Sequence, residues 1–242
     1  MPRKRWAGNG IVPGIIQAIV GPMGSGKTEA LYALLQQPVV RRNGVVLCIP
    51  KKGNRAGRRI HQSRIGTTYS GPHCLFRNPI ELLTKIPPGI KTVGFDEVQF
   101  AEENTATAQA LVRVVKTLRD RGHNIIWTGL QLDFRNRPFP VTGKLLAIST
   151  SIRTFDGYCH VCGASPAPYA QRLQLGHPVP ESDPLILADT PENRRAGYSY
   201  ETRCGACHEL PRELTPDLAT IRRLIRSKRA HRRKAQKSRS GS

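Results

Sequence analysis

Short apolar runs alternate with amphipathic segments along the first two thirds of the chain. The apolar runs have the length of strands and lie at residues 15–20, 44–49, 92–95 and 124–128. Apolar residues also recur at helical spacing, which predicts helices at 28–37 and 102–121, a short helix at 79–85, and a helix or strand at 144–149. Such alternation predicts an α/β fold, in which a parallel sheet carries helices on both faces.

The turn after the first predicted strand matches the phosphate-binding pattern G-x-x-x-x-G-K-[ST]. Its residues are Gly21, Pro22, Met23, Gly24, Ser25, Gly26, Lys27 and Thr28. Glycines let backbone N–H groups approach phosphates, the lysine neutralises the β- and γ-phosphate oxygens, and the threonine hydroxyl ligates Mg²⁺. Because a strand is predicted before this loop and a helix after it, the pattern predicts a nucleoside triphosphate site.

An acidic pair follows another predicted strand. Asp96 and Glu97 come directly after the run at 92–95, so they are expected at the same carboxyl edge of the sheet as Gly21. A carboxylate at that edge is a natural partner for Mg²⁺. The loop and the acidic pair together predict that the chain binds a magnesium nucleotide and transfers its terminal phosphate.

The composition fits a folded chain that acts on anions. The 242 residues are 38% hydrophobic, and no apolar run is long enough to span a membrane. The basic start leads directly into the phosphate loop without a cleavage site, so we expect a cytoplasmic protein. Net charge is +21, which favours anionic partners such as nucleotides, RNA or DNA.

Much of this charge lies in residues 216–242, which hold ten Lys/Arg against one Asp. Nucleic acid is a candidate partner for this tail but is not required by it, because a solvated, disordered tail has the same composition. The tail has no aromatic residue, so base stacking is not expected there.

Four of the six cysteines form two Cys-x-x-Cys pairs, namely Cys159 with Cys162 and Cys204 with Cys207. In a cytoplasmic protein such pairs favour a structural zinc site over disulfides, because two tight turns can supply a tetrahedron of thiolates. Redox-active or free thiols are the alternative. His160 and His208 adjoin the pairs and could substitute as ligands, whereas Cys48 and Cys74 are expected to be buried structural thiols.

Five segments together resemble the type II thymidine kinases, the zinc-containing cytosolic deoxynucleoside kinases. The resemblance covers residues 15–210, and it depends on the order and spacing of segments that are weak signals individually. The segments are the phosphate loop, Ser-Arg-Ile-Gly at 63–66, Asp-Glu-Val-Gln-Phe at 96–100, Gly-Leu-Gln-Leu-Asp-Phe at 129–134 with Pro-Phe at 138–139, and the four cysteines with Tyr200 shortly before Cys204.

The resemblance implies a P-loop (RecA-like) α/β domain with a small zinc-stapled lasso over the nucleoside. Together with composition, it divides the chain into a flexible basic lead at 1–14, a kinase domain at 15–150, a zinc-binding lasso or lid at 151–215 and a basic, disordered tail at 216–242 that is not part of the family core. The resemblance also implies a homotetramer or dimer, and no membrane partner is expected.

The implied reaction moves the γ-phosphoryl group of ATP to the 5′-hydroxyl of thymidine, or of deoxyuridine, in nucleotide salvage. Lys27 would hold the phosphates, Thr28 and Asp96 would serve Mg²⁺, and Glu97 matches the general base. A second metal ligand or a water-positioning group is the alternative for Glu97. Arg55 matches an arginine near the transferring phosphate, and its alternative is one more solvated charge in a basic loop.

The resemblance also implies a nucleoside pocket. An apolar wall would surround thymine and deoxyribose, although ordinary core packing fits each residue equally well; its members are Met23, Phe100, Leu130, Phe134 and Phe139. Gln99 would orient the sugar or the backbone, and Ala170, Arg172 and Tyr200 belong to the lasso region, where backbone groups would read most of the base edge.

Several positions depart from the family pattern. Ala170 replaces a threonine of the thymine methyl pocket, and Gly53, Val98, Gln131 and Gly205 also differ. A lost contact of this kind lowers substrate discrimination by about 1–3 kcal/mol, so the sequence favours kinase chemistry over strict thymidine preference. Two other functions remain open: a nucleic-acid-dependent P-loop ATPase that uses the zinc module and tail, and an ATP-binding relative without turnover.

Overall fold

The structure is a computed structural model, and it describes residues 12–53, 61–63, 66–102 and 104–211. Its strands are β1 (Ile16–Val20), β2 (Val45–Pro50), β3 (His61–Gln62), β4 (Thr68–Tyr69), β5 (His73–Phe76), β6 (Thr92–Phe95), β7 (Asn124–Gly129), β8 (Ser151–Thr154), β9 (Tyr169–Gln174), β10 (His177–Pro178) and β11 (Tyr198–Arg203). Its α-helices are α1 (Lys27–Leu35), α2 (Pro38–Arg42), α3 (Leu82–Lys85), α4 (Thr105–Asp120), α5 (Pro140–Ala147) and α6 (Pro191–Arg195). Short 3₁₀ turns lie at Lys51–Gly53, Pro79–Glu81 and Val98–Ala101.

The main sheet has six strands in the order β5-β2-β6-β7-β1-β8, and every neighbouring pair is parallel. The predicted α/β fold with a parallel sheet is therefore confirmed. β7 lies between β1, which leads into the phosphate loop, and β6, which leads into the acidic pair. The end of β7 consequently stands between the two motifs that the sequence singled out.

Helices cover both faces of this sheet because successive strand residues point to opposite sides. Ile16, Ala18 and Val20 of β1 join a core cluster with α4 and α5, whereas Ile19 joins a second cluster with α1. The central strands are buried on both faces, which explains why they read as short continuous apolar runs in the sequence.

Helix boundaries follow local capping and proline signals. The helix predicted at 102–121 begins only at Thr105, because the Asn104 side chain accepts the Thr107 N–H at 2.8 Å and caps it. The helix predicted at 28–37 ends at Leu35, and Pro38 starts a separate short helix. The ambiguous segment 144–149 lies mostly within α5, which begins earlier, at Pro140.

A second, three-stranded antiparallel sheet has the order β10-β9-β11. It contacts the phosphate loop through the Thr202 hydroxyl, which donates to the Met23 carbonyl at 2.9 Å. β8 lies beyond the predicted domain boundary at residue 150, yet it pairs with β1, so the main sheet continues to Thr154. The division into domains itself stays a prediction. Within the described residues, no helix combines the length and apolarity that crossing a bilayer requires.

Some predictions fall outside the described residues. These are Arg55, the Arg-Ile pair at 64–65, residues 1–11 of the predicted lead and the whole of the predicted tail at 216–242.

Leu111 tests the packing of α4 on the sheet. Its side chain is fully buried in the core cluster, so Leu111→Ala should lower the free energy of unfolding by about 2–5 kcal/mol through the cavity that it leaves. Urea unfolding monitored by circular dichroism measures this loss. Lys116→Ala, on the exposed face of the same helix, should change stability by no more than about 0.5 kcal/mol, and equal effects of the two substitutions would contradict the packing.

Candidate active site

The phosphate loop adopts a backbone that only glycine accommodates at its key positions. A Cβ at Gly21 would lie 2.3 Å from the Phe155 carbonyl oxygen, so a side chain is sterically excluded there. Gly24 and Gly26 have φ angles of 73° and 88°, in the left-handed region that favours glycine. α1 begins at Lys27, directly after this loop, so its N-terminal N–H groups and dipole add to the loop's capacity to bind an anion.

Lys27 lies along the loop that it is predicted to serve. Its ammonium donates to the Pro22 carbonyl and lies 3.5 Å from the Ser25 hydroxyl oxygen. The side chain is only 9% exposed. The positive charge is therefore held within the phosphate loop, where it can face phosphate oxygens.

Asp96 is the centre of a buried hydrogen-bond cluster. Its Oδ1 accepts hydrogen bonds from the Thr28 hydroxyl at 3.2 Å and from the Thr128 hydroxyl, and its Oδ2 accepts one from the Tyr32 hydroxyl at 3.5 Å. The carboxylate is 4% exposed. The structure thus brings together Thr28 and Asp96, the two residues predicted to serve magnesium.

Burial, and after it the neighbouring Glu97 charge, raise the pKa of the Asp96 carboxyl to about 6. Hydrogen bonds from the two threonines and the charge of Lys27 act in the opposite direction. The raised pKa means that this buried position disfavours the charged form of the carboxyl. A bound cation would favour that form.

Glu97 is held in an unusual backbone conformation at the end of β6. Its φ and ψ angles are 55° and 47°, a left-handed geometry that costs a non-glycine residue about 1–3 kcal/mol. The Glu97 N–H donates to the Thr128 hydroxyl oxygen at 3.3 Å, and its Oε2 accepts from Gln99 Nε2 at 2.9 Å. The first bond fixes the Glu97 backbone, and the second orients its carboxylate.

Gln99 connects this carboxylate to the segment at 129–134. While its Nε2 binds Glu97, its Oε1 accepts the Leu130 N–H at 3.2 Å. Position 129 must be glycine because the side chains of Val98 and Gln99 lie against its backbone. A Cβ there would lie 2.7 Å from Val98 Cγ2 and 3.2 Å from Gln99 Oε1. The acidic motif and the predicted nucleoside wall therefore form one connected structure.

The predicted apolar wall divides by burial. The rings of Phe100, Phe134 and Phe139 are buried, whereas Met23 and Leu130 are partly exposed. Phe134 also makes a cation–π contact with Arg172 of the second sheet, whose guanidinium carbon lies 4.1 Å from the ring centroid.

The side chains of Arg172 and Tyr200 form hydrogen bonds with a nearby segment of the same chain. Arg172 is 4% exposed and donates to Asp183 Oδ2 at 2.7 Å and to the Leu185 carbonyl at 2.9 Å. The Tyr200 hydroxyl donates to the Leu187 carbonyl. These two side chains hold the segment 183–187 against β9 and Phe134. Ala170 is buried on β9, opposite Thr202 of β11.

The four paired cysteines converge into one cluster, with all sulfur atoms within 4.8 Å of one another. Among the described residues, no other group of three or more Cys, His, Asp or Glu side chains lies close enough to share a metal ion. His160 does not join it, because its Nδ1 lies 3.1–3.2 Å from the backbone of Thr202. His208 packs its ring against Tyr169. The arrangement is compatible with structural zinc.

Sequence reasoning missed two residues that bind Asp96. Thr128 ends a run recognised only as a buried strand, and its role depends on β7 lying between β1 and β6. Tyr32 lies one helical turn after Thr28 on α1, a spacing that places both side chains on the same helix face. That spacing was readable in the sequence, whereas the strand order was not.

Comparison with known families gives one match. A family model described as "TK: Thymidine kinase" matches residues 14–208 of the chain. The match spans the phosphate loop, the acidic pair and all four paired cysteines.

The raised pKa of Asp96 predicts a cost to stability in the absence of magnesium. Its pKa near 6 exceeds the value of about 3.9 expected in the unfolded chain, so the native state loses stability as pH rises through this interval. Asp96→Asn should therefore raise the free energy of unfolding at pH 8 by about 1–3 kcal/mol, with a smaller gain at pH 5.

Urea unfolding in magnesium-free buffer at both pH values measures this gain. Asp120→Asn, at the exposed end of α4, is the matched control and should change the free energy of unfolding by no more than about 1 kcal/mol. A gain of the same size at pH 5 and pH 8 would contradict the assigned pKa.

Proposed function

The chain belongs to the thymidine kinase family, and on that premise we propose that it transfers the γ-phosphoryl group of ATP to the 5′-hydroxyl of thymidine or deoxyuridine. The observation that carries the proposal is the position of Glu97 next to Asp96: Thr128 binds its backbone N–H and also Asp96, and Gln99 binds its carboxylate. A base next to a phosphate site is the arrangement that transfer to a hydroxyl requires.

The donor half of the site is built from the phosphate loop. Lys27, the loop N–H groups and the N-terminus of α1 would bind the phosphates of ATP. Thr28 and Asp96 lie in contact and offer hard oxygen ligands, which are the ligands that Mg²⁺ prefers. Mg²⁺ there would offset the charge that develops on the phosphate oxygens.

The acceptor half centres on Glu97. As the nucleoside 5′-oxygen attacks the γ-phosphorus, Glu97 would accept the hydroxyl proton and ADP would leave. The bond from Gln99 to Oε2 would keep the carboxylate oriented throughout. Arg55, which lies outside the described residues, remains a candidate for stabilising the transferring phosphate.

The lasso would close the nucleoside pocket. Arg172 and Tyr200 hold the segment 183–187 in place by binding its carbonyls, and the remaining main-chain groups of this segment would read the base edge. Ala170 offers only one methyl group where a threonine would contact the thymine methyl, so discrimination between thymidine and deoxyuridine should be modest.

The test is ATP-dependent phosphorylation of a panel of deoxynucleosides, run beside ATP hydrolysis with and without DNA or RNA. Conversion of thymidine and deoxyuridine supports the proposal. ATP hydrolysis that nucleic acid stimulates, without nucleoside conversion, would support the alternative of a nucleic-acid-dependent P-loop ATPase instead. ATP binding without either activity would indicate a relative that has lost turnover.

Glu97→Gln separates catalysis from binding. The amide can keep the bond from Gln99 but cannot accept a proton, so kcat should fall by about 10²–10⁴ while ATP affinity is unchanged. Steady-state kinetics and isothermal titration with ATP measure the two effects. Glu81→Gln, at a remote exposed carboxylate, should leave kcat within about twofold, and retained turnover in Glu97→Gln would refute the base assignment.

The cysteine cluster should bind one zinc ion per chain, because four thiolates complete its coordination. Cys162→Ser removes one ligand whose side chain is exposed, so it should lower the zinc content and raise the nucleoside KM more than the ATP KM. Elemental analysis and kinetics measure both. Cys74→Ser, outside the cluster, should retain zinc fully, and a zinc-replete Cys162→Ser protein would contradict the assignment.

A further inference from the structure

Cys48 and Cys74, the two cysteines outside the four-cysteine cluster, lie side by side on adjacent strands of the main sheet. They occupy directly opposed register positions on the adjacent parallel strands β2 and β5. Their sulfur atoms lie 3.2 Å apart. Neighbouring strands are about 4.8 Å apart, which falls within the Cα separation of ordinary disulfides, so a bond between these residues needs no rearrangement of the backbone.

The two thiols differ in accessibility. Cys48 is fully buried in the core, whereas Cys74 is partly exposed on β5, the edge strand of the sheet. The hydrogen bond from Cys48 and the nearby charge of Lys85 lower the pKa of the Cys74 thiol, although partial burial opposes this. The thiol that a small solute can reach is thus also the one that ionises more readily, and its neighbour is in contact to resolve an oxidised sulfur.

We propose that Cys48 and Cys74 form a peroxide-reactive dithiol that closes to a reversible intramolecular disulfide. The Cys74 thiolate attacks one oxygen of hydrogen peroxide, the O–O bond breaks, and the departing hydroxide takes up a proton to become water. This leaves a sulfenic acid on Cys74. The Cys48 sulfur then attacks that sulfur, the S–O bond breaks, and the hydroxide leaves with the thiol proton as a second water. Two thiols lose two electrons in total, and these reduce one peroxide.

The position of the bond connects it to the candidate active site. The Cys48 carbonyl accepts the Asp96 N–H at 3.1 Å, so the disulfide would tie the edge strand to the strand that supports Asp96. The disulfide is detected from the mass of the linked peptides, so the test does not require the chain to be an active kinase.

The experiment uses the full-length, zinc-loaded, reduced protein treated with a small excess of hydrogen peroxide. Remaining thiols are alkylated under denaturing conditions, and a tryptic digest is analysed by mass spectrometry without reduction. Cleavage after Arg42, Lys51, Arg64 and Arg77 places the two cysteines in the separate peptides 43–51 and 65–77. We expect these peptides to be linked in more than half of the chains, with the link lost on dithiothreitol treatment.

Cys74→Ser and Cys48→Ala are the matched variants. In Cys74→Ser the linked species should disappear while Cys48 remains fully alkylatable, and in Cys48→Ala Cys74 should accumulate as sulfenic or sulfinic acid. Zinc released during oxidation is measured in parallel, so that reaction of the metal cluster is counted separately. Two results would overturn the proposal: wild-type Cys74 that oxidises to sulfinic acid without the linked peptides, or thiols that remain free while the zinc cluster oxidises.

Discussion

The hydroxyl group of Thr128 joins the two halves of the candidate active site. It accepts the Glu97 N–H and donates to Asp96, so a single side chain sets the backbone of one carboxylate and the orientation of the other. This is possible only because β7 is inserted between the strands that precede the phosphate loop and the acidic pair. The strained conformation of Glu97 depends on this bond, because a left-handed glutamate needs surrounding contacts to hold it.

The site also depends on how the second sheet meets the first. Thr202 of β11 binds the Met23 carbonyl, and the guanidinium of Arg172 lies between the rings of Phe134 and Tyr200. A buried charge is costly unless it is paired, and the terminal nitrogens of Arg172 bind Asp183 and backbone carbonyls, whereas its Nε has no hydrogen-bond partner among the described residues. The same contacts hold the segment 183–187 close to Phe134.

Much of this architecture was predictable from the sequence, and the reasons for the exceptions are physical. Periodicity predicted the parallel sheet because β1, β2, β6 and β7 are buried on both faces, and the phosphate loop was predicted because its chemistry requires a fixed order of residues. Helix ends were less predictable, since Asn104 and Pro38 act through local caps that compete with the apolar pattern. Thr128 was missed because its role arises from strand order. Arg172 stays a predicted substrate residue, and its hydrogen bonds in the structure go to Asp183 and Leu185.

The six cysteines show that the local backbone conformation determines which chemistry a cysteine side chain can perform. Each Cys-x-x-Cys turn places two sulfur atoms close together, and the two turns meet, so four sulfur atoms converge at a distance that suits a metal. On β2 and β5 the backbone is extended, each strand offers one sulfur, and only a pairwise contact can result. Two thiols cannot complete a tetrahedral zinc site, but two opposed thiols can exchange electrons with an oxidant. The turn favours metal binding and the strand pair favours disulfide chemistry, because geometry sets how many sulfur atoms can meet.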